Sequence, residues 1–320
     1  MELSGKRIMV TGGSGFVGSH LVDQIRGHEP AEIIIPRSAQ FDLTDARQTA
    51  DLLATTKPDL IFHLAASVGG IGANRKYPGT FFYDNMAMGL NVLEQARRHG
   101  TEKVVVAGTI CAYPKFAEVP FREDAMWDGY PEETNAPYGV AKKALLVMAE
   151  AYRAEFGCNF VVLFPVNLYG PRDNFDLESS HVIPAMIRKF ITAEENGQNE
   201  VHLWGDGSPT REFLYAEDCA TGFILGAQKY DSHEPVNLGT GTEISIKALA
   251  EKIGTMTGYS GSIVWDESQP NGQPRRCLDV TRARERFGFE APTGLDEGLA
   301  QTIAWWRENK EAVIAAEAGS

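Results

Sequence analysis

The sequence predicts an α/β fold: a doubly wound parallel sheet followed by a smaller C-terminal α/β lobe. Three observations predict it. A short apolar run, Lys6-Arg7-Ile8-Met9-Val10, leads straight into a glycine-rich turn. Further apolar runs at 33–35, 60–65, 104–107 and 160–164 alternate with helical stretches at 46–53, 82–98 and 138–156. After Pro165 that rhythm loosens, and loop-rich segments at 169–180, 205–209 and 269–276 mix with short elements.

The first run reads as a strand buried on both faces. It enters Thr11-Gly12-Gly13-Ser14-Gly15-Phe16-Val17-Gly18, where Gly12, Gly15 and Gly18 have the Gly-x-x-Gly-x-x-Gly spacing of a dinucleotide fingerprint. Glycine there lets the backbone turn tightly, approach a pyrophosphate, and bring helix against strand. A helix starting at about Phe16 and Val17 aims its N-terminal amides at the phosphates. An NAD site places an acidic residue about 20 residues further on to bond the ribose. The second strand ends instead in Arg37 and Ser38. A guanidinium suits a 2′-phosphate, so the expected cofactor is NADP(H). Asp42 and Leu43 are expected to face the adenine. The expected division is a dinucleotide-binding domain at 1–166, rejoined by about 216–239, and a substrate domain at 167–320.

The fourth run, Val104-Val105-Val106-Ala107-Gly108-Thr109, ends in a hydroxyl placed to bond a substrate carbonyl. Two residues on, Cys111 is either a reactive thiol in a strand's C-terminal loop or a buried structural cysteine. Tyr138 and Lys142 stand at i and i+4 on one face of a helix, and Pro137 suits that helix's start. A neighbouring ammonium is expected to lower the phenol's pKa, so that the hydroxyl exchanges protons near neutrality during carbonyl reduction. His181, in Ser179-Ser180-His181-Val182-Ile183-Pro184, is either a second proton-transfer group or a helix-start imidazole bonded to backbone.

Composition narrows the partners. With 320 residues the chain exceeds one typical domain. Its net charge of −13 argues against nucleic acid, and an anionic substrate then needs local arginines. Cys111, Cys158, Cys219 and Cys277 show neither a Cys-x-x-Cys pair nor metal-ligand spacing. Reduced thiols, no metal and a cytoplasmic location are expected. Without a signal-peptide pattern or an apolar run of spanning length, no membrane partner is expected.

Several longer segments identify a resemblance. They are Ala65-Ala66-Ser67-Val68-Gly69-Gly70-Ile71 followed by Asn74, Cys111-Ala112-Tyr113-Pro114-Lys115, and Thr134-Asn135-Ala136-Pro137-Tyr138-Gly139-Val140-Ala141-Lys142. Asn167-Leu168-Tyr169-Gly170-Pro171-Arg172-Asp173-Asn174-Phe175, the His181 segment, Trp204 to Leu214, and Leu278-Asp279-Val280-Thr281-Arg282 complete them. Over nearly its whole length the chain resembles the extended short-chain dehydrogenases/reductases, which share a Rossmann-type sheet, and among them the GDP-L-fucose synthase family.

The resemblance implies epimerisation of GDP-4-keto-6-deoxy-D-mannose at C3 and C5, then reduction at C4 by hydride from NADPH, in a homodimer. Tyr138 and Lys142 match the reductive pair, Thr109 a position where the family often has serine, and Cys111 and His181 the epimerisation acid and base in either order. Cofactor contacts are implied for Ala65, Ala66, Pro165, Asn167, Leu168 and His181 besides the residues above. Substrate contacts are implied for Asn167, Arg188, Lys189, Trp204, Arg211 and Asp279. Two departures stand out: Ile110 replaces a hydroxyl residue beside the catalytic strand, and Gly12-Gly13-Ser14 lacks a basic residue that some members carry. A reductase or epimerase for another GDP-linked keto sugar is the alternative. Dimerisation is expected through the helices at 84–98 and 138–156.

The cofactor reading has a direct check. NADPH should be turned over faster than NADH under identical conditions, and equal turnover of the two would overturn the assignment of Arg37.

Overall fold

The computed structural model describes residues 1–269 and 271–318. The chain opens with β1 (Arg7–Thr11), α1 (Phe16–Arg26), β2 (Glu32–Ile34), α2 (Ala46–Thr56), β3 (Leu60–His63), α3 (Ile71–Lys76), α4 (Pro78–His99) and β4 (Lys103–Ala107). It continues through α5 (Ala136–Phe156), β5 (Phe160–Pro165), β6 (Asn167–Tyr169), α6 (Val182–Glu195), β7 (Glu200–Trp204), β8 (Thr210–Tyr215) and α7 (Ala216–Lys229). Last come β9 (Val236–Leu238), β10 (Glu243–Ser245), α8 (Ile246–Thr257), β11 (Ser262–Asp266), β12 (Arg275–Arg276), α9 (Thr281–Phe287) and α10 (Leu295–Ala318).

Six strands form one parallel sheet in the order β2-β1-β3-β4-β5-β9. The chain leaves β1 for β2 on one side and returns to β3 on the other. Right-handed crossovers then place the helix before that reversal and the helices after it on opposite faces. Accordingly α1 packs with α7, while α2, α4 and α5 pack as a second group. The reversal opens a crevice beyond the ends of β1 and β3, where such sheets bind ligands. The central strands β3 and β5 are buried on both faces, which explains their near-continuous apolar runs.

At the end of β5 the chain passes through one residue, Val166, into β6, which pairs with β8 in a small second sheet with β10 and β12. The pair β7–β11 and helices α6, α8 and α10 enclose a separate core around Tyr169, Phe175, Phe190 and Trp306. Phe175 stacks on Trp306 with ring centroids 4.3 Å apart. Helix α7 and β9 then return to the large sheet.

Some expected boundaries move. The helix expected from 82 starts at Pro78, because proline at the first turn needs no N–H partner there. The strand expected to reach 65 stops at His63: the Ala65 N–H turns away to the Thr11 hydroxyl at 3.3 Å. The strand expected at 33–35 runs Glu32–Ile34, in register with β1.

A buried carboxylate clamps the small sheet. Glu212 accepts from Leu278 N–H at 2.6 Å, from Gly241 N–H at 2.7 Å, and from Thr240 N–H. Burial pushes its pKa up, and these donors oppose that shift. Glu212→Ala should cost about 3 kcal/mol of stability by stranding buried donors. Urea denaturation tests this, and a loss below about 1 kcal/mol would contradict the clamp.

Candidate active site

The crevice between β1 and β3 is built for close backbone approach. Gly12 has φ +73°, and a Cβ on it would lie 2.9 Å from Ala65 N. A Cβ on Gly18 would lie 2.1 Å from the Gly12 carbonyl oxygen, so helix α1 reaches the loop only with glycine at that position. Gly15 starts α1 with no side-chain cap and no acidic residue in the first turn, leaving the amides around Phe16, Val17 and Gly18 open to an anion. Thr11 Oγ1, 2.9 Å from His63 Nδ1, ties the loop after β3 to the glycine turn and sets Ala65 and Ala66 beside it.

Arg37 is exposed beyond β2, and its guanidinium has no protein partner among the described residues. Asp42 spends its carboxylate on the Thr44 N–H and hydroxyl, at 2.9 and 2.8 Å. Leu43 is buried in the core. Pro165 and Leu168 flank the step between the sheets, and Asn167 donates to the Glu212 carbonyl at 2.9 Å.

One tight contact assembles the reactive groups. Thr109 caps the short helical turn Ile110–Ala112, accepting from Cys111 N–H at 3.2 Å. Helix α5 lies directly on that turn: a Cβ on Gly139 would sit 2.2 Å from the Cys111 carbonyl oxygen. Tyr138, the preceding residue, is thereby buried where Thr109 and Cys111 both act on its phenol. One helical turn on, Lys142 is 1% exposed, and among the described residues its ammonium has no hydrogen-bond partner.

Electrostatics here depart from the expectation that Lys142 lowers the Tyr138 pKa. Burial pushes the phenol well above its ordinary value, the Cys111 thiol adds to that, and only Thr109 opposes it. The same burial pushes Lys142 down to about 8, and its charge bears on His63 instead, which burial lowers to about 3. Tyr138 in this protein is therefore a firmly protonated donor at neutral pH.

His181 precedes α6 as its N-cap residue and makes no side-chain hydrogen bond among the described residues. Its ring is open to water yet sits deep in the cleft, and the surrounding protein lowers its pKa. The loop that carries it docks on the first lobe: Gly70 N–H donates to Ser179 O at 2.9 Å, and Asn74 braces Gly69 at 2.7 Å. Two segments singled out separately in the sequence thus meet.

The expected substrate residues divide. Arg211 lies deep, near Cys111 and Glu132, and burial with the neighbouring Arg276 charge lowers it to about 10. Arg188 is committed to the Phe175 carbonyl and the Glu317 carboxylate, and Lys189 donates to the His202 carbonyl at 2.9 Å. Trp204 is 57% exposed, and Asp279 accepts from Thr281 N–H at 2.9 Å at the start of α9. No hydrogen bond among the described residues joins Arg188, Lys189, Trp204 or Asp279 to Cys111, Tyr138 or His181. A residue the sequence did not flag, Arg276, reaches Cys111: Nη1 lies 3.7 Å from Sγ. Its place two residues before the Leu278-Asp279 segment was the only local signal.

The glycine cradle, the open helix start and the unpaired buried ammonium fit a nicotinamide dinucleotide. Fold and site together define a two-lobed enzyme of dinucleotide-dependent carbonyl chemistry. Residues 8–239 match the NAD dependent epimerase/dehydratase family, and the chain belongs to it, within the extended short-chain dehydrogenases/reductases. It is similar to a GDP-L-fucose synthase from Sinorhizobium fredii, 42% identical over 94% of this chain and 95% of the relative. A GDP-L-fucose synthetase from Naegleria fowleri bound to NADP superimposes with a TM-score of 0.89 and 30% identity, covering 97% of this chain and 96% of that one. A GDP-mannoheptose C4 reductase from Campylobacter jejuni with NADP bound superimposes with a TM-score of 0.88 and 27% identity, covering 96% and 99%.

Asp173 offers a pH test of this loop. One carboxylate oxygen accepts from Asn174 N–H at 2.7 Å, the other is buried without a partner among the described residues, and burial raises the pKa to about 8. The folded state thus holds this proton up to about pH 8, whereas the unfolded chain releases it near about pH 4. Folding binds the extra proton between those values, so stability falls as pH rises through the window. Asp173→Asn should gain on the parent protein from about pH 4 to about pH 8 and hold a constant lead above it. An equal lead in urea melts at both ends of that window would refute the buried-proton assignment.

Proposed function

We propose that the protein converts GDP-4-keto-6-deoxy-D-mannose into GDP-L-fucose, with NADPH as reductant. The observation that carries this reading is the Cys111 thiol set against the Tyr138 phenol at one sheet end, in a chain 42% identical to a GDP-L-fucose synthase. A pure reductase has no use for the thiol.

The C4 carbonyl acidifies the hydrogens on C3 and C5. Cys111 as thiolate removes one proton, and the enolate oxygen is held by the protonated Tyr138 hydroxyl and by Thr109. His181, open to water, delivers a proton to the opposite face, and the exchange repeats at the second carbon. Bound NADPH supplies hydride for C4. Tyr138 gives its proton to the carbonyl oxygen, and the Lys142 ammonium, unpaired among the described residues, would hold the nicotinamide ribose. Gly12, Gly15, Phe16, Val17 and Gly18 would take the pyrophosphate and Arg37 the 2′-phosphate, while Asn167, Arg188, Lys189, Trp204, Arg211 and Asp279 would contact the GDP-sugar. No helix among the described residues is long and apolar enough to cross a membrane. Free cysteines support a cytoplasmic location. Exposed Tyr83, Leu90, Val147 and Phe156 on the packed helices α4 and α5 support a homodimer through those helices.

The test is NADPH oxidation with GDP-4-keto-6-deoxymannose in D2O, followed by NMR of the product. Deuterium at C3 and C5 of GDP-L-fucose is expected. Reduction without deuterium would make the enzyme a simple ketoreductase. Turnover only with another GDP-linked keto sugar would favour the alternative that the likeness to the heptose reductase supports. Cys111→Ser should lose exchange yet retain some C4 reduction. Tyr138→Phe should slow reduction by about 10²–10⁴-fold and exchange far less. Equal loss of both steps in each variant would end this division of labour.

A further inference from the structure

We propose that Arg276 is a positioning residue that pairs with the Cys111 sulfur as a thiolate, so that the epimerising group is assembled from both lobes. The inference rests on the reading of Cys111 above and adds what holds that sulfur ready.

The two consecutive arginines of β12 have opposite fates. Alternation along a strand sends Arg275 outward, where it pairs with Glu243, and Arg276 inward, where it is 8% exposed. Arg276 is held by its fork. Its Nε donates to Gln273 Oε1 at 2.9 Å, and Gln273 Nε2 donates to the Lys115 carbonyl at 2.7 Å. That brace ties it to the loop following Cys111, and Nη1 then lies 3.7 Å from Sγ.

The charge balance of this corner favours an anion. Arg276 pairs in register with Arg211 on β8, and its charge bears on the Arg211 guanidinium. The carboxylate in their neighbourhood, Glu132, is spent on Thr134 and Asn135. Tyr138 faces the thiol from α5 as a neutral phenol. Two guanidiniums therefore stand over one half-buried thiol with no carboxylate bonded to Arg276 among the described residues. One carboxylate, Glu132, bears on two guanidiniums and offsets their charge only in part, and a thiolate beside arginine supplies a second anion. Formation of the thiolate releases its proton to solvent. On proton abstraction the thiolate becomes a thiol, and the two guanidiniums remain to face the negative charge on the substrate.

The experiment compares the full-length parent protein with Arg276→Gln and Arg276→Lys. Two readouts are taken at neutral pH: the rate of Cys111 alkylation by iodoacetamide, located by peptide mass, and solvent deuterium exchange at C3 and C5 of the keto sugar. Arg276→Gln should slow both by about tenfold, with NADPH affinity unchanged, and Arg276→Lys should recover part of each rate. A merely structural tie between lobes would not discriminate by charge. If folded Arg276→Gln alkylates and exchanges like the parent, the inference fails. If Arg276→Gln does not fold, Gln273→Ala removes the brace and keeps the charge. It should slow both rates by a smaller factor, and parental rates in that variant would equally refute the role. A parent enzyme that shows arginine-dependent alkylation but no exchange would instead overturn the proposed epimerisation while leaving the Arg276–Cys111 pairing intact.

Discussion

The cleft depends on how closely helix α5 lies against the turn after β4. Gly139 meets the Cys111 carbonyl where a Cβ has no room, so the helix start and the strand end share one small volume. That contact places Tyr138 against Thr109 and Cys111 and seals the phenol from water. A larger residue at 139 would push the helix outward and separate donor from thiol.

Sealing sets the acid–base chemistry. Burial makes charge expensive, so Tyr138 keeps its proton and Lys142 is drawn down towards neutrality. His181 is likewise lowered, although water reaches it. Burial thus disfavours the charged form of all three, although Lys142 at about 8 keeps its proton at neutral pH, while the Cys111 sulfur faces the Arg276 guanidinium. The acidic chain concentrates its positive charge locally where an anionic substrate or reactive anion needs it.

The second lobe contributes rigidity as well as charge. Glu212 gathers backbone donors from the 240–241 turn and from Leu278, fixing β8 next to the strand that carries Arg276. The docking of Gly70 on Ser179 fastens the loop before His181 to the first lobe. The two lobes therefore meet through backbone and buried polar contacts on both sides of the cleft.

Local chemistry was legible in the sequence. The glycine spacing, the apolar runs and the Tyr138–Lys142 interval are properties of a few consecutive residues, and backbone sterics or helix periodicity turn them directly into a turn, strands and a shared helix face. Segment resemblance added Cys111, in the turn after β4, and His181, at the start of α6. Other features were not legible because they depend on distance in the chain. Arg276 reaches a thiol 165 residues away, and nothing in Arg275-Arg276 says which of the two turns inward. The direction of the Tyr138 shift was misread because proximity of an ammonium is visible in a sequence and depth of burial is not. The sequence alone determined the fold class and the residue types brought to the sheet's end. Only the tertiary structure decided their charge states and partners, because desolvation and ion pairing are set by what the folded chain packs around each group.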